Sequence, residues 1–307
     1  MSEVLELARI LVDIVLPVFL IAAVGFVGRR VLAIDPQPIA RLALYLLVPA
    51  LLFQTLLNTQ LAGAEIARIG TYVVLLTLVL VPLSMLSARW TGATRSQAAG
   101  FTLGVAFLNA ANYGLPVNLF AFGQDGFDRA AVFVVFENIL TYTVGVFVAA
   151  GGKLPWRRAL ATVFRMPVLW GALLALAIRV SGFELPVAVL RATTVLSGGA
   201  IPVILILLGM QLASITPRAI GPRAWAAVVG RLVVSPTIGL ALTGLLGPSA
   251  VTRSVLVLES AMPSAVNATL IAAEFDAEPE LVSTIALLTT AISMVTVTGW
   301  VAFLRTL

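Results

Sequence analysis

The sequence predicts an all-α membrane protein of ten transmembrane helices, arranged as two inverted repeats of five helices. Three observations predict this fold class. The composition is strongly apolar, apolar segments long enough to cross a bilayer follow one another along the whole chain, and prolines recur at a nearly constant separation. Helices four and nine are predicted to be broken and to cross each other.

The composition excludes most other classes of protein. Of 307 residues, 60% are hydrophobic and 11% are charged, whereas a soluble domain carries about 25% charged residues. The net charge of +5 comes from basic residues scattered through short connections, which argues against a nucleic-acid-binding surface. The chain has no cysteine and no histidine, so disulfides, Cys or His metal sites and Ser-His-Asp triads are excluded. We expect no cofactor. An ion that is coupled to transport, H⁺ or Na⁺, stays open at this point.

Ten apolar segments are separated by short polar breaks. A bilayer core of about 30 Å needs roughly 20 mostly apolar residues per helix, and the runs lack the alternation of a membrane β-barrel. The predicted spans are 7–28, 38–58, 68–88, 98–122, 129–150, 161–180, 187–212, 223–246, 252–273 and 281–304. We expect no separate soluble domain.

The basic residues predict the orientation, because cytoplasmic loops carry the excess of Lys and Arg. With the N-terminus outside, eleven basic residues lie on the cytoplasmic side: Arg29, Arg30, Arg41, Arg89, Arg95, Lys153, Arg157, Arg158, Arg165, Arg218 and Arg223. The other side then holds seven: Arg9, Arg68, Arg129, Arg179, Arg191, Arg253 and Arg305. The count predicts a multi-pass protein of the inner membrane with both termini outside.

Prolines indicate an internal repeat. Four pairs are separated by 150, 153, 154 and 147 residues, and these are Pro17 with Pro167, Pro49 with Pro202, Pro82 with Pro236 and Pro116 with Pro263. The repeats are predicted as 1–150 and 151–307. Because each holds five spans, the second enters the membrane in the opposite orientation, which is the plan of many secondary transporters.

Span four is predicted to break near its middle. It contains Asn109, Asn112, Gly114 and Pro116 at mid-membrane depth. Proline removes a backbone donor and clashes with the carbonyl four residues earlier, so this segment should unwind. Unwound backbone inside a membrane occurs only within protein or around a cavity. Asn109, Asn112, Tyr113, Gly114 and Pro116 are therefore candidate substrate-binding residues.

Span nine is predicted to break at the matching position of the second repeat. Its candidate substrate-binding residues are Pro263, Ser264 and Asn267. Two breaks at corresponding positions indicate a binding site, since half-helix N-termini suit a carboxylate and free carbonyls suit a cation. Glu259, one turn before Pro263, and Glu137 in span five are costly in hydrocarbon, and we predict that they handle a coupling cation. Arg231 in span eight could pair with an acid or attract an anion.

The segment Asn109-x-x-Asn112-x-Gly114-x-Pro116, together with Pro49 and the Met262-Pro263 break, resembles the auxin efflux carrier family in its bacterial branch. The resemblance covers the whole chain. It implies a scaffold of spans one, two, six and seven and a moving domain of spans three to five and eight to ten, with an elevator-like motion. Members of this family move small organic anions such as auxin, malate or malonate.

The fold implied by this resemblance is shared with the more distant bile acid sodium symporters. Glu259 is similar to their acidic cation-binding position, but Pro263 departs from their pattern and puts a sodium site in doubt. We predict a secondary transporter of a small organic anion, auxin-like or a dicarboxylate, that forms a homodimer through its scaffold in the lipid bilayer. The alternatives are a sodium-coupled symporter of an amphipathic substrate, an intramembrane enzyme, and a channel or membrane sensor.

Overall fold

The structure is a computed structural model that describes residues 2–152, 154–217 and 220–307. Lys153 and Arg218, two of the basic residues assigned above to the cytoplasmic side, lie outside the described residues. Within the described ranges the secondary structure is helical, with no β-strand beyond one isolated bridge. The helices are α1 (Val4–Val31), α2 (Pro36–Asn58), α3 (Gly63–Trp90), α4 (Arg95–Ala106), α5 (Ala110–Ala149), α6 (Trp156–Val163), α7 (Pro167–Ser181), α8 (Val187–Ser214), α9 (Pro222–Leu246), α10 (Ala250–Ser260), α11 (Asn267–Glu274) and α12 (Pro279–Leu304).

Seven helices of the described residues are long and apolar enough to cross a membrane: α1, α2, α3, α5, α8, α9 and α12. α7 is apolar but shorter, with 15 residues. Large apolar side chains face outwards, such as Val180 at 87% exposure and Leu245 at 82%. Several polar and charged side chains are buried instead, namely Asn109, Asn112, Asn118, Glu137, Arg231 and Glu259. This distribution is that of a helical membrane protein.

The boundaries differ from the predicted spans in the middle of the chain. The helical run of α5 covers the second part of predicted span four and most of predicted span five, and its backbone leaves the helical conformation between them at Gly123, where φ is 65° and ψ is −159°. Two helices meet at this kink, and the positive φ is readily adopted by glycine, which has no Cβ. Span six begins at Pro167 and not near residue 161.

Four prolines follow a π turn by two residues. The turns are Leu11–Val15 before Pro17, Ala43–Leu47 before Pro49, Ala110–Gly114 before Pro116 and Gly230–Val234 before Pro236. A π turn adds one residue to the helical turn. The extra residue gives the proline ring room against the preceding turn, so the helix continues past the missing N–H donor. Pro82 and Pro202 lie instead within α-helix.

Two groups of helices pack among themselves. In the first, α1 packs along α8 and α2 packs along α7 and α8. Glycines allow the close approach: a Cβ at Gly209 would overlap the carbonyl of Ala22, and one at Gly171 would lie 2.8 Å from the carbonyl oxygen of Pro49. In the second group α3 packs on α4, α5 and α9, and α10 packs on α5 and α9.

A polar cluster joins α3, α5 and α10 at one end of the second group. Thr252 and Ser249 hydrogen-bond to Glu65, which also pairs with Arg68 at 2.5 Å. Arg129 Nε donates to Thr252 Oγ1 at 2.8 Å. These bonds connect three helices that are far apart in sequence.

Candidate functional site

The two breaks in the chain lie side by side at the centre of the second group. α4 starts from a capping box between Thr94 and Gln97 and ends at Ala106, and the backbone of the next residue, Phe107, is extended. The interruption at 261–266 separates α10 from α11. The segments 107–109 and 261–266 thus leave backbone groups that no helix satisfies.

Some of these backbone groups pair with each other across the two segments. Leu108 and Ser264 form an antiparallel bridge. The N–H of Asn109 donates to the carbonyl of Pro263 at 2.9 Å, and the N–H of Ala265 donates to the carbonyl of Phe107 at 3.1 Å. The N–H of Ser264 donates instead to Thr289 Oγ1 at 3.1 Å. Unpaired peptide groups are costly away from water, so these bonds help both helices to break at that depth. We call the paired segments 107–109 and 261–266 the crossing.

The two repeats can be aligned by the ends of their helices, and this alignment differs from the one predicted from the proline spacing. Counted from the ends of α4 and α10, at Ala106 and Ser260, Pro263 corresponds to Asn109 and not to Pro116. Pro263 lies in the break itself, whereas Pro116 lies in the helix that follows its break. The same counting brings Asn112 next to the position of Asn267, so an asparagine lies in the first turn of the helix beyond each break.

Glu259 is fully buried beside the first break. Asn118 Nδ2 donates to Glu259 Oε1 at 2.8 Å and also to the carbonyl of Gly114 at 2.9 Å. A Cβ at Gly114 would overlap the Glu259 carboxylate, so this position needs glycine. Within the described part of the chain, Glu259 Oε2 has no hydrogen-bond partner. The contact with Asn118 was not predicted, although Asn118 lies one helical turn after Gly114.

Glu137 contacts the first break at Leu108. Thr141 Oγ1 donates to Glu137 Oε1 at 2.6 Å, and the backbone N–H of Leu108 also donates to this carboxylate. Leu108 is a residue of the crossing. The two acids that the sequence selected for cation coupling are therefore both beside the crossing: Glu137 contacts segment 107–109, and Glu259 is in the last turn of α10 before segment 261–266.

Arg231 is a third buried charge at this centre, and the sequence left its partner undecided. Its side chain has 0% exposure. Nη1 donates to the carbonyl of Val105 at 2.8 Å, and Nη2 donates to the carbonyl of Ser260 and to Ser235 Oγ. The guanidinium thus contacts the last turns of both α4 and α10. No pattern in the sequence connects span eight to these two carbonyls.

A cavity of about 670 Å³ opens beside the crossing and lies between α2, α5 and α11. Asn112 and Asn267 both line it. The further polar lining consists of Tyr45, Asn138, Tyr142, Thr162, Arg165 and Glu274. Helix N-termini carry partial positive charge, and the first turns of α5 and α11 contribute the two asparagines. The cavity can accept a small molecule with an anionic group.

The remaining predicted residues lie behind this cavity. Asn109, Gly114, Pro116, Pro263 and Ser264 are buried in or beside the crossing and do not line the cavity wall. Tyr113 does not line the cavity either. Its hydroxyl accepts a hydrogen bond from Ser293 Oγ of α12 at 3.1 Å, and its ring packs edge-on against Phe19. In the described ranges, Asn109 Nδ2 and Ser264 Oγ have no hydrogen-bond partner. The same ranges hold no cluster of three Asp or Glu side chains suited to a metal ion.

Comparison with known proteins gives a match along nearly the whole chain. The model of a family described as "Membrane transport protein" matches residues 10–155 and 156–301. An "Uncharacterized transporter" of Methanothermobacter thermautotrophicus is 28% identical, covering 92% of each chain, and one of Methanocaldococcus jannaschii is 24% identical, covering 94% of this chain and 97% of its own. A "Putative malonate transporter" of Rhizobium meliloti is 28% identical over 95% of each chain.

Proposed function

This chain belongs to the membrane transport protein family, the family of the auxin efflux carriers, and from this premise we propose that it is a secondary transporter of a small organic anion. Membership confirms the resemblance drawn from the Asn109 to Pro116 segment. It also makes the chain an integral membrane transporter and not an enzyme. The substrate and the mechanism are the subject of the proposal.

The observation that carries the proposal is the position of Asn112 and Asn267. Both line the cavity, and each stands at the start of a helix beyond a break. Amide side chains and helix N-termini provide hydrogen-bond donors and partial positive charge without a fixed counter-ion. A carboxylate can bind such donors and leave them again, which a transport cycle requires.

We propose a substrate of dicarboxylate or auxin-like size. The cavity of about 670 Å³ has apolar walls from Leu44, Val48 and Ile271 and includes Arg165 at the side of the connection between the halves. An arginine can form a bidentate contact with a second carboxylate. The relative from Rhizobium meliloti, whose name includes malonate, supports dicarboxylates as the first compounds to test.

The mechanism proposed is an elevator motion of α3–α5 and α9–α12 against a scaffold of α1, α2, α7 and α8. The packing of α1, α2, α7 and α8 as one group and of α3, α4, α5, α9 and α10 as another supports it, as does a cavity with walls from both. We propose ten spans in two inverted repeats, 1–150 and 151–307. In this scheme α4 with the start of α5 forms span four, the rest of α5 forms span five, α7 forms span six, and α10 with α11 forms span nine.

The cavity reaches the connection between the halves at Leu154, Ala161 and Arg165. With the proposed orientation, both termini outside and this connection cytoplasmic, the structure corresponds to an inward-facing state in the inner membrane. Homodimerisation through the scaffold is also a proposal; the exposed apolar face of α8, with Val195 at 78% exposure, is where we expect the contact.

The coupling ion is proposed to act at Glu259 and Glu137, which adjoin the crossing but not the cavity wall. A buried carboxylate that contacts a break can respond to the movement of that break. Protonation of Glu259 would alter its bond with Asn118 Nδ2, and it would thereby connect the ion to the helix that carries Asn112.

The test is uptake of labelled malonate, malate, indole-3-acetate and acetate into proteoliposomes, combined with thermal unfolding in the presence of each compound. A ligand that binds only the folded state stabilises it by RT ln(1 + [L]/Kd), about 2.7 kcal/mol at one hundred times Kd. We expect Asn112→Ala and Asn267→Ala to abolish the response. Asn58→Ala is the matched control, because Asn58 lies on α2 outside the cavity lining. A full response in both cavity variants would refute the site.

A further inference from the structure

Arg231 occupies an unusual place for a charged side chain. It is fully buried in the π turn Gly230–Val234 of α9. Its guanidinium donates to the carbonyls of Val105 and Ser260 and to Ser235 Oγ, and Ser235 Oγ in turn donates to the Ser260 carbonyl at 2.9 Å. Two helices from different halves of the chain are therefore joined by one side chain.

The two carbonyls belong to the negative ends of half-helices. Val105 is in the last turn of α4, and Ser260 is the last residue of α10. Each helix end carries roughly half a negative charge and lacks intrahelical donors for its last carbonyls. Two such ends in proximity repel each other unless a cation lies between them. In transporters with broken helices, these C-terminal ends are among the groups that coordinate coupling cations.

Arg231 forms no ion pair with the two nearby acids, Glu137 and Glu259, in the described part of the chain. Glu137 and Glu259 are close enough to interact with it electrostatically, but in the part of the chain that the structure describes no carboxylate forms an ion pair with it. Its direct partners are the helix ends and a serine hydroxyl. The guanidinium is thus placed as a cation for the carbonyls and not as a counter-ion for one acid.

We propose that Arg231 is a tethered cation that takes the place of a mobile metal cation at the ends of α4 and α10 and holds the crossing in register. The inference deepens the proposed function and rests on it, because Arg231 acts by positioning the breaks that carry Asn112 and Asn267. A cation that is part of the chain moves with the transport domain and is never released. Metal-ion binding at these two helix ends is then unnecessary, and Glu137 and Glu259 remain free to exchange a proton.

The first experiment uses the unaltered protein. Uptake of the best substrate of the panel is measured in proteoliposomes with Na⁺ and with Na⁺ replaced by choline, at constant pH and membrane potential. We expect rates that agree within about twofold, since the site for a metal cation is already filled. A loss of about tenfold or more without Na⁺ would overturn the inference and leave the proposed transport function intact.

The second experiment removes the side chain and returns its head group in solution. Arg231→Ala leaves two carbonyls and Ser235 without their charged donor, and we expect uptake to fall about tenfold or more. Guanidinium or Na⁺ at millimolar concentration should restore uptake and raise the Tm of this variant. Arg129→Ala is the matched control, because Arg129 also bonds across helices but its partners, Asp125 and Thr252, are not residues of the crossing. Neither ion should restore uptake or raise Tm in this control.

The outcomes separate the two proposals. A folded Arg231→Ala protein that transports as well as the parent, or that no cation restores in uptake or in Tm, overturns the role of Arg231. If the parent transports nothing in the panel, the proposed function fails, but a rise in Tm with guanidinium confined to Arg231→Ala still supports a cation site at the helix ends. If Arg231→Ala does not fold, the sodium comparison on the unaltered protein decides.

Discussion

The contact between Gly114 and Glu259 allows a quantitative prediction. Gly114 has φ −65° and ψ −46°, a backbone conformation that any residue adopts. The Cβ introduced by Gly114→Ala would nevertheless overlap the Glu259 carboxylate. Since both residues are buried, the overlap can be relieved only by moving the carboxylate away from Asn118 or by separating α10 from α5.

The magnitude follows from those two routes. Loss of a hydrogen bond to a charged group costs about 1.5–3 kcal/mol, and overpacking a core costs about 1–3 kcal/mol. Replacing glycine by alanine in a helix returns about 1 kcal/mol. We expect a net loss in the free energy of unfolding of about 0.5–2 kcal/mol by the first route and of up to about 2 kcal/mol by the second, with a Tm lower by a few degrees.

The assay is thermal unfolding of the purified protein in detergent, followed by intrinsic fluorescence. Gly244→Ala is the control, because a Cβ at Gly244 meets no atom within 4 Å, and it should leave Tm unchanged or slightly raised. A double-mutant cycle with Glu259→Ala isolates the contact. If Gly114→Ala costs nothing, or costs the same with and without the Glu259 side chain, the proposed packing of the site is refuted.

Three other substitutions test the remaining parts of the structure. Gly209→Leu should separate α1 from α8 and lower Tm by more than Gly114→Ala does, because its side chain would overlap a backbone carbonyl of α1; an unchanged Tm would contradict this packing. Tyr113→Phe removes only the bond to Ser293, so we expect a loss of about 0.5–1.5 kcal/mol in stability and an unchanged KM; a KM raised several-fold would instead put the hydroxyl in the substrate site. Glu259→Gln retains an acceptor for the Asn118 amide, so the protein should fold, while uptake should lose its dependence on a proton gradient; full proton dependence would assign coupling to another group.

Local chemistry explains why the breaks could be predicted. Proline lacks a backbone donor, and glycine and asparagine tolerate irregular backbone. The segments Asn109 to Pro116 and Met262 to Asn267 could therefore be predicted as helix interruptions without any knowledge of tertiary contacts. The structure has its irregular segments at 107–109 and 261–266. The exact boundaries could not be predicted, because a helix can pass Pro116 through a π turn and because two helices join directly at Gly123 without a loop between them.

The partners of each buried group could not be predicted in the same way. Arg231 contacts Val105, 126 residues away, and Asn118 contacts Glu259, 141 residues away. Sequence periodicity describes only neighbours within a few turns of one helix. Pro116 and Pro263 illustrate this limit of sequence periodicity. The proline spacing predicts that they are equivalent in the two repeats, whereas alignment by the helix ends makes Pro263 equivalent to Asn109.

By itself, the sequence determined that the chain is a helical membrane protein, where its helices are interrupted, and to which family it belongs. Those properties depend on composition, on local backbone chemistry and on a motif, which the order of residues contains directly. Only the tertiary structure decided that the two breaks pair with each other, that Asn112 and Asn267 share a cavity, and that Arg231 binds two helix ends. These facts depend on how close distant segments come in space, and the free energy of packing, not the local sequence, sets that distance.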